Sequence, residues 1–250
     1  MSKLQEKQSQ LNELYKKKFL GENTYIELEK YSPPLLLNLD VENLDTRIMF
    51  VGQETNGWWD VENSNWRNEN VINKLLDTYK NFMNNYYLGM SNQFFMAIKD
   101  ILGDANIKPV WNNVFKFDSG VGDRKISTLI KKEQDLICEF HKGILAKELE
   151  IINPQLVIFF TGHDYDRCFF DKVVLNNGDD YRDLYKKTEH ENLQDEWQIG
   201  RLDLKNFNGF ENFKGKAYRT YHPRYFMQFK PELKEQILPF LKSEVEKVFS

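Results

Sequence analysis

Four short stretches carry the residue types that chemistry needs. Gly52-Gln53-Glu54-Thr55-Asn56-Gly57 follows the apolar run Ile48-Met49-Phe50-Val51, so a glycine that lets the chain turn is followed at once by an amide and a carboxylate. Asn112-Asn113 lies inside a second extended run. Thr161-Gly162-His163-Asp164 follows the apolar run Leu156-Val157-Ile158-Phe159-Phe160, and Tyr221-His222-Pro223-Arg224-Tyr225-Phe226 follows the last extended run. A Glu, an Asn and a His arriving from three strand ends supply a water-orienting or general-base group, an amide that reads a base edge and an electrophilic stabiliser. The same residue types form turns and caps, so spacing alone leaves both roles open.

Other candidate motifs are weaker. Gly120-Val121-Gly122 lacks the Lys-Ser/Thr that gives a phosphate loop its chemistry. His163-Asp164 would need several further histidines to build a metal phosphohydrolase site, and the chain has 4 in all. Two cysteines, Cys138 and Cys168, make neither a disulfide framework nor a four-ligand metal site.

The elements that must position these residues follow from hydrophobic periodicity. Leu4, Leu11, Leu14, Tyr15 and Phe19 share a helical face ending at Gly21. Helices are predicted over 71–87, from an N-cap at Ser91 to Gly103, over 133–152 as one long helix, over 163–171, and from Pro231 onward with a kink at Pro239. Strands are predicted over 47–51, 110–117, 155–161, 198–204 and 216–221. Two of the strands are nearly all apolar, which predicts an α/β domain whose sheet is buried on both faces, with ligands at the carboxyl ends of its strands. Residues 1–250 form a single domain in this reading, with 1–45 an N-terminal helical extension and 176–196, rich in Asn and Asp, an inserted loop.

Composition bounds the function. The chain has 250 residues, 34 Lys+Arg against 38 Asp+Glu, and a net charge of −4, which argues against a large nonspecific polyanion-binding surface while leaving room for a local basic groove. Its 24 Asn and 4 Ala fit an AT-rich codon bias, so single exposed Asn or aromatic residues carry little weight. An apolar fraction of 41% fills a core. No apolar run approaches the ~18–20 residues of a spanning helix, and the first residues hold no apolar signal region, so a cytoplasmic protein without a membrane partner is expected.

Taken in order, the motifs resemble the uracil-DNA glycosylase superfamily. In that superfamily a first strand ends in Gly-Gln-Asp-Pro-Tyr or Gly-Glu-Ala-Pro-Gly, a later strand carries an Asn, and a last strand ends in His-Pro-Ser or His-Pro-Ala. This chain reads Val51-Gly52-Gln53-Glu54 and Tyr221-His222-Pro223-Arg224. Asn113-Val114-Phe115-Lys116 is similar to the Thr-Asn-Val-Val-Lys segment of the iron–sulfur-containing branch. Asp123-Arg124, the helix with Glu133, Cys138 and Glu148, and the run from Asn153-Pro154 to Gly162 follow at similar spacing. The resemblance spans 47–226 and leaves out the N-terminal helices, 60–90 and 176–196.

The resemblance implies a three-layer αβα sandwich with a central, mostly parallel four-stranded sheet plus additional N-terminal helices. It implies a monofunctional DNA glycosylase that flips a nucleotide, hydrolyses its N-glycosidic bond and leaves an abasic site. Glu54 would orient the attacking water and His222 would stabilise the departing base. Asn113 would read the base edge, Gln53 would add donors and Phe94 would stack on the base. Asn56 stands where one branch has a Tyr that screens the thymine methyl, so a modified pyrimidine is a candidate substrate. Phe226 would wedge into the helix, and Arg224, Lys116 and Arg124, with Lys125 and Arg219, would form a basic rim. Glu54 is one methylene longer than the family Asp, and Thr55 replaces its Pro. Two cysteines cannot supply the four ligands of the branch's cluster, so no metal cluster and no cofactor are expected. The expected partner is DNA containing an altered base, bound by a monomer. The alternatives are a catalytically inactive nucleic-acid- or protein-binding module on the same fold and a small-molecule nucleoside or glycoside hydrolase.

Overall fold

The run Ile48–Val51 is apolar at every position because its strand is covered on both faces. In the computed structural model β1 (Leu44–Gly52) lies between two parallel neighbours, β2 (Lys108–Asn113) and β3 (Leu156–Phe159), with Phe50 opposite Trp111 on one side and Ile158 on the other. The structure describes residues 1–250 except 22–29, 56–67, 104–105, 120–124, 171–172, 174–184, 189, 191–192, 194 and 208; of Asp164 and Arg167 only the backbone is described. β6 (Lys216–Thr220) pairs in parallel with β3. The strand order is β2-β1-β3-β6-β5-β4. All five strands expected from the sequence are present, but the sheet has six strands instead of four: β5 (Ile199–Leu202), within the run expected over 198–204, and the unexpected β4 (Tyr185–Lys186) extend it antiparallel. β4 falls inside the segment predicted to be a loop. Most of the rest of 176–196 lies outside the described residues.

Successive side chains of a strand point to opposite faces, and β1 and β2 sort the helices accordingly. Phe50 packs on Phe160, which meets Phe94 of α3 (Gln93–Leu102) and Phe226 of α7 (Pro223–Gln228). α8 (Pro231–Phe249) packs with both helices and over β1 and β3. The opposite face carries α1 (Lys3–Leu20) against α5 (Ile144–Ile152), and α4 (Lys131–His141) packs on α6 (His163–Phe169). The result is a three-layer α/β sandwich. α1 is integral to it, since Leu11, Tyr15 and Phe19 are fully buried.

Local chemistry moved several boundaries. The helix predicted over 133–152 is two helices, because Lys142-Gly143 breaks it and Gly143 takes φ 77°, a left-handed value that costs glycine little. Asn92 rather than Ser91 caps α3, its side chain accepting from the Phe95 N–H. β2 stops at Asn113, and 114–117 form a series of bends in which the Val114 and Phe115 N–H groups still donate to the Gly52 and Gln53 carbonyls at 3.0 Å. At the outer edge of β2, Tyr79 of α2 (Glu69–Asn81) uses one hydroxyl twice. It donates to the Trp111 carbonyl at 2.9 Å and accepts from the Trp111 N–H at 3.0 Å.

A polar cluster sits between α1, α5 and the end of β2. Lys116 and Glu148 are both fully buried and form an ion pair at 2.6 Å. Glu148 also accepts from Tyr15 at 2.7 Å and from the Asn112 amide at 2.9 Å, while the Asn112 carbonyl oxygen accepts from Lys116 Nζ and from the Asn113 N–H. Beside it, His141 Nε2 accepts the Lys116 N–H at 2.8 Å, while Nδ1 lies 2.7 Å from the Ile137 carbonyl. An Nε2 acceptor places the proton on Nδ1, so the ring is neutral, and burial pushes its pKa down to about 3. Protonation is then easier unfolded than folded, so His141 costs stability as pH falls from 6.5 toward 3, by about 3–5 kcal/mol in all. In urea titrations across that window, His141→Gln, which keeps an acceptor, is expected to show a flatter pH profile than the wild type.

Candidate active site at the strand ends

β1 pairs with β2 on one side and β3 on the other, so the chain reverses its winding direction there. In open α/β sheets such a switch point leaves a crevice beyond the carboxyl ends of the strands. Gly52 ends β1, Asn113 ends β2, Gly162 follows β3 and His222 follows β6. Three of the predicted residues meet in this crevice. The Phe94 ring, reaching across from α3, lies nearly parallel to the His222 imidazole, 5.9 Å between centroids and 21° between planes. Asn113 is 2% exposed, and its amide nitrogen has no hydrogen-bond partner. A Cβ on Gly52 would overlap Asn113 Oδ1 and stand 3.1 Å from the Phe94 ring.

That contact makes Gly52→Ala a sharp probe of the site. The extra methyl must displace Asn113 or Phe94, which costs about 1–3 kcal/mol of stability and moves the two side chains that define the crevice. Differential scanning calorimetry should show the loss, and any activity should fall by more than the stability change explains.

Glu54 is held from two sides. Its Oε1 accepts from the Tyr165 hydroxyl of α6, and its Oε2 accepts from the Ile126 N–H at 2.9 Å. Burial pushes its pKa up to about 7, and Asp118 adds to the rise. The Tyr165 and Ile126 hydrogen bonds and Lys125 oppose it. The turn after Glu54 is fixed by Thr55, which donates to Asp118 at 3.0 Å and lies 3.2 Å from the Ser32 hydroxyl. Thr55 thus takes a hydrogen-bonded anchoring position that a Pro could not.

His222 precedes Pro223 at the start of α7. Its Nδ1 accepts from the Arg224 N–H at 3.2 Å, so its proton sits on Nε2, which is a donor. Burial, with help from the cations Lys125 and Arg224, lowers its pKa to about 4. At neutral pH the imidazole is uncharged. Lys125 acts on both Glu54 and His222, which ties the two into one electrostatic unit.

Several predicted roles need correction. The Gln53 side chain is anchored rather than loose: one amide N–H donates to the Thr161 carbonyl at 2.6 Å, tying the ends of β1 and β3 together and leaving its second N–H for a ligand. Lys116 is fully buried in its ion pair with Glu148 and cannot reach a phosphate on the surface. Arg219 is likewise buried, paired with Asp166 and donating to the Trp197 carbonyl at 2.6 Å. Phe226 is 0% exposed and packs against Phe160, so it is a core residue and not a wedge. Arg224 is exposed at the mouth, with Nε donating to Gln228 at 3.1 Å. Asn56 and Arg124 lie outside the described residues. Tyr165 was missed by sequence reasoning. Its only signal was a position three residues after Gly162, one helical turn beyond a strand end.

The fold and this crevice define an α/β protein with a polar site at the ends of its parallel strands. Among the described residues no cluster of three or more His, Cys, Asp or Glu could hold a metal ion, and no helix is long and apolar enough to cross a membrane. In comparisons with known proteins, the chain matches no family model and no curated protein.

Proposed function

We propose that this chain is a monofunctional DNA glycosylase that hydrolyses the N-glycosidic bond of uracil or a related altered base in DNA. The observation that carries the reading is the buried, unpartnered amide nitrogen of Asn113 beside the Phe94 ring and His222. A buried donor without a partner costs about 1–3 kcal/mol, and a planar base with a carbonyl on its edge would satisfy it while lying against Phe94.

In this reading the Glu54 carboxylate accepts a hydrogen bond from water, whose oxygen attacks the anomeric carbon as its proton passes to the carboxylate. The glycosidic electron pair leaves with the base, and His222 Nε2–H donates to the base oxygen that takes up the negative charge. A neutral donor suits this role, because it stabilises the anion without first repelling the cationic sugar. No metal or cofactor takes part, and a cytoplasmic monomer is the form proposed.

Labelled single- and double-stranded oligonucleotides carrying uracil, hypoxanthine, a thymine mispair or 5-hydroxymethyluracil test it. Alkali-sensitive scission with wild type, lost in Glu54→Gln and His222→Ala, is the expected result. No scission on any substrate overturns it. The second reading, a binding module without catalysis, is favoured by the hydrogen bonds that both Glu54 oxygens already accept. It predicts tight DNA binding with no scission.

A further inference from the structure

We propose that the aromatic row Tyr221, Tyr225 and Phe229 is a stacking track for unpaired bases, so that the chain engages single-stranded DNA. The inference deepens the glycosylase reading and rests on it for the identity of the polymer. Tyr225 lies within α7, Tyr221 just before its N-cap His222 and Phe229 at its C-cap, and direct ring contacts join the three into a row. Tyr221 and Tyr225 lie 4.6 Å apart between centroids, and Tyr225 and Phe229 lie 6.4 Å apart. Tyr225 is 38% exposed and Phe229 65% exposed, so the row opens to solvent as it leaves the crevice. It begins at the residue before His222, so a strand whose altered base enters the crevice would pass its neighbouring nucleotides over these rings.

Charge selects the occupant. Arg224 lies within the row's own turn of helix, Lys230 follows its end, and Lys125 stands across the mouth; all three are exposed. Arg224 and Lys125 both bear on His222. Cations interleaved with open aromatic faces match a backbone of phosphates carrying free bases. An apolar protein surface would have to desolvate these cations. Bases in a duplex already stack on one another and have no face to offer the rings.

Fluorescence anisotropy at low salt with an undamaged single-stranded oligonucleotide, and with the same sequence as a blunt duplex, is the test. The single strand should bind at least ten-fold more tightly. Tyr225→Ala and Phe229→Ala should each weaken single-strand binding about 5- to 100-fold, Phe229→Trp should restore it, and duplex binding should be unchanged. Circular dichroism melts confirm that these surface variants fold. Equal affinity for both forms, or alanine variants that bind single strands like wild type, overturns the proposal. So does a dimer that dissociates on Phe229→Ala in sedimentation, which would make the row an interface between copies. Base release measured separately distinguishes the two ideas. Release from both strand forms alike, with the alanine variants silent, sinks the track alone. Single-strand binding through the rings without release sinks the glycosylase reading alone.

Discussion

Glu54→Gln is expected to lower base release about 10²- to 10⁴-fold, the range associated with a positioned general base, while making the protein more stable at pH 8. Both effects come from one carboxyl group. Its pKa of about 7 reflects burial, reinforced by Asp118 and moderated by Tyr165, Ile126 and Lys125. Only the ionised form can hold the attacking water, so activity should rise with pH through about 7. His222, neutral above about 4, adds no acid limb in that range. The Tyr165 hydroxyl favours the carboxylate, so Tyr165→Phe should move the midpoint upward by about 1–2 pH units, the worth of a hydrogen bond to a charged group. The stability change has the opposite sense. A carboxyl whose folded pKa is raised contributes most below its unfolded value of 4.5 and loses that contribution as pH rises through 7. With allowance for partial solvent access, Glu54→Gln should gain about 1–3 kcal/mol at pH 8 and little or nothing below pH 4.5. pH–rate profiles and thermal melts on the same variants check both signs. A variant that loses stability and activity together would mean that Glu54 is a structural carboxylate.

Lys116→Met should destabilise the fold by about 3–5 kcal/mol, the cost of leaving a buried charge without its partner. Glu148 is fully buried among Lys116, Tyr15 and Asn112 and has no route to water. Burial depresses the Lys116 pKa and the adjacent carboxylate pulls it back up, so the pair persists through mutual compensation. The double variant Lys116→Met/Glu148→Leu should recover most of the loss, because an apolar pair of similar volume avoids the desolvation cost. Urea titrations of the two single variants and the double give the coupling directly. The Asn112 carbonyl accepts from both Lys116 Nζ and the Asn113 N–H, so the double variant should also loosen Asn113 and reduce activity even where stability returns.

The parallel core was legible because burial on both faces writes itself as continuous apolar runs, at 48–51 and 156–160. The crevice was legible because glycine and polar residues follow those runs. Of the antiparallel extension, β5 was legible as the strand expected over 198–204, but β4 was not, since it has two residues and sits in a polar stretch with no period-two pattern. Phe226 and Lys116 were misjudged for a common reason. Residue type cannot tell which side of a turn faces inward, and Lys116 in particular is held inside by Glu148, 32 positions away in the chain. Tyr165 was invisible because its partner, Glu54, is 111 residues distant.

Tyr79 has a consequence beyond its own two hydrogen bonds. β2 is the outermost parallel strand, and its edge is closed from within: Trp111 at its middle is buried under Tyr79, so its N–H and C=O cannot turn to water for a partner. One hydroxyl serves both, so the phenol stands in for the neighbouring strand that the sheet lacks on that side. Tyr79→Phe, which keeps the ring against Trp111 and removes only the oxygen, should strand both groups in the interior and lower stability by about 1–3 kcal/mol in urea titrations, with no loss of the fold.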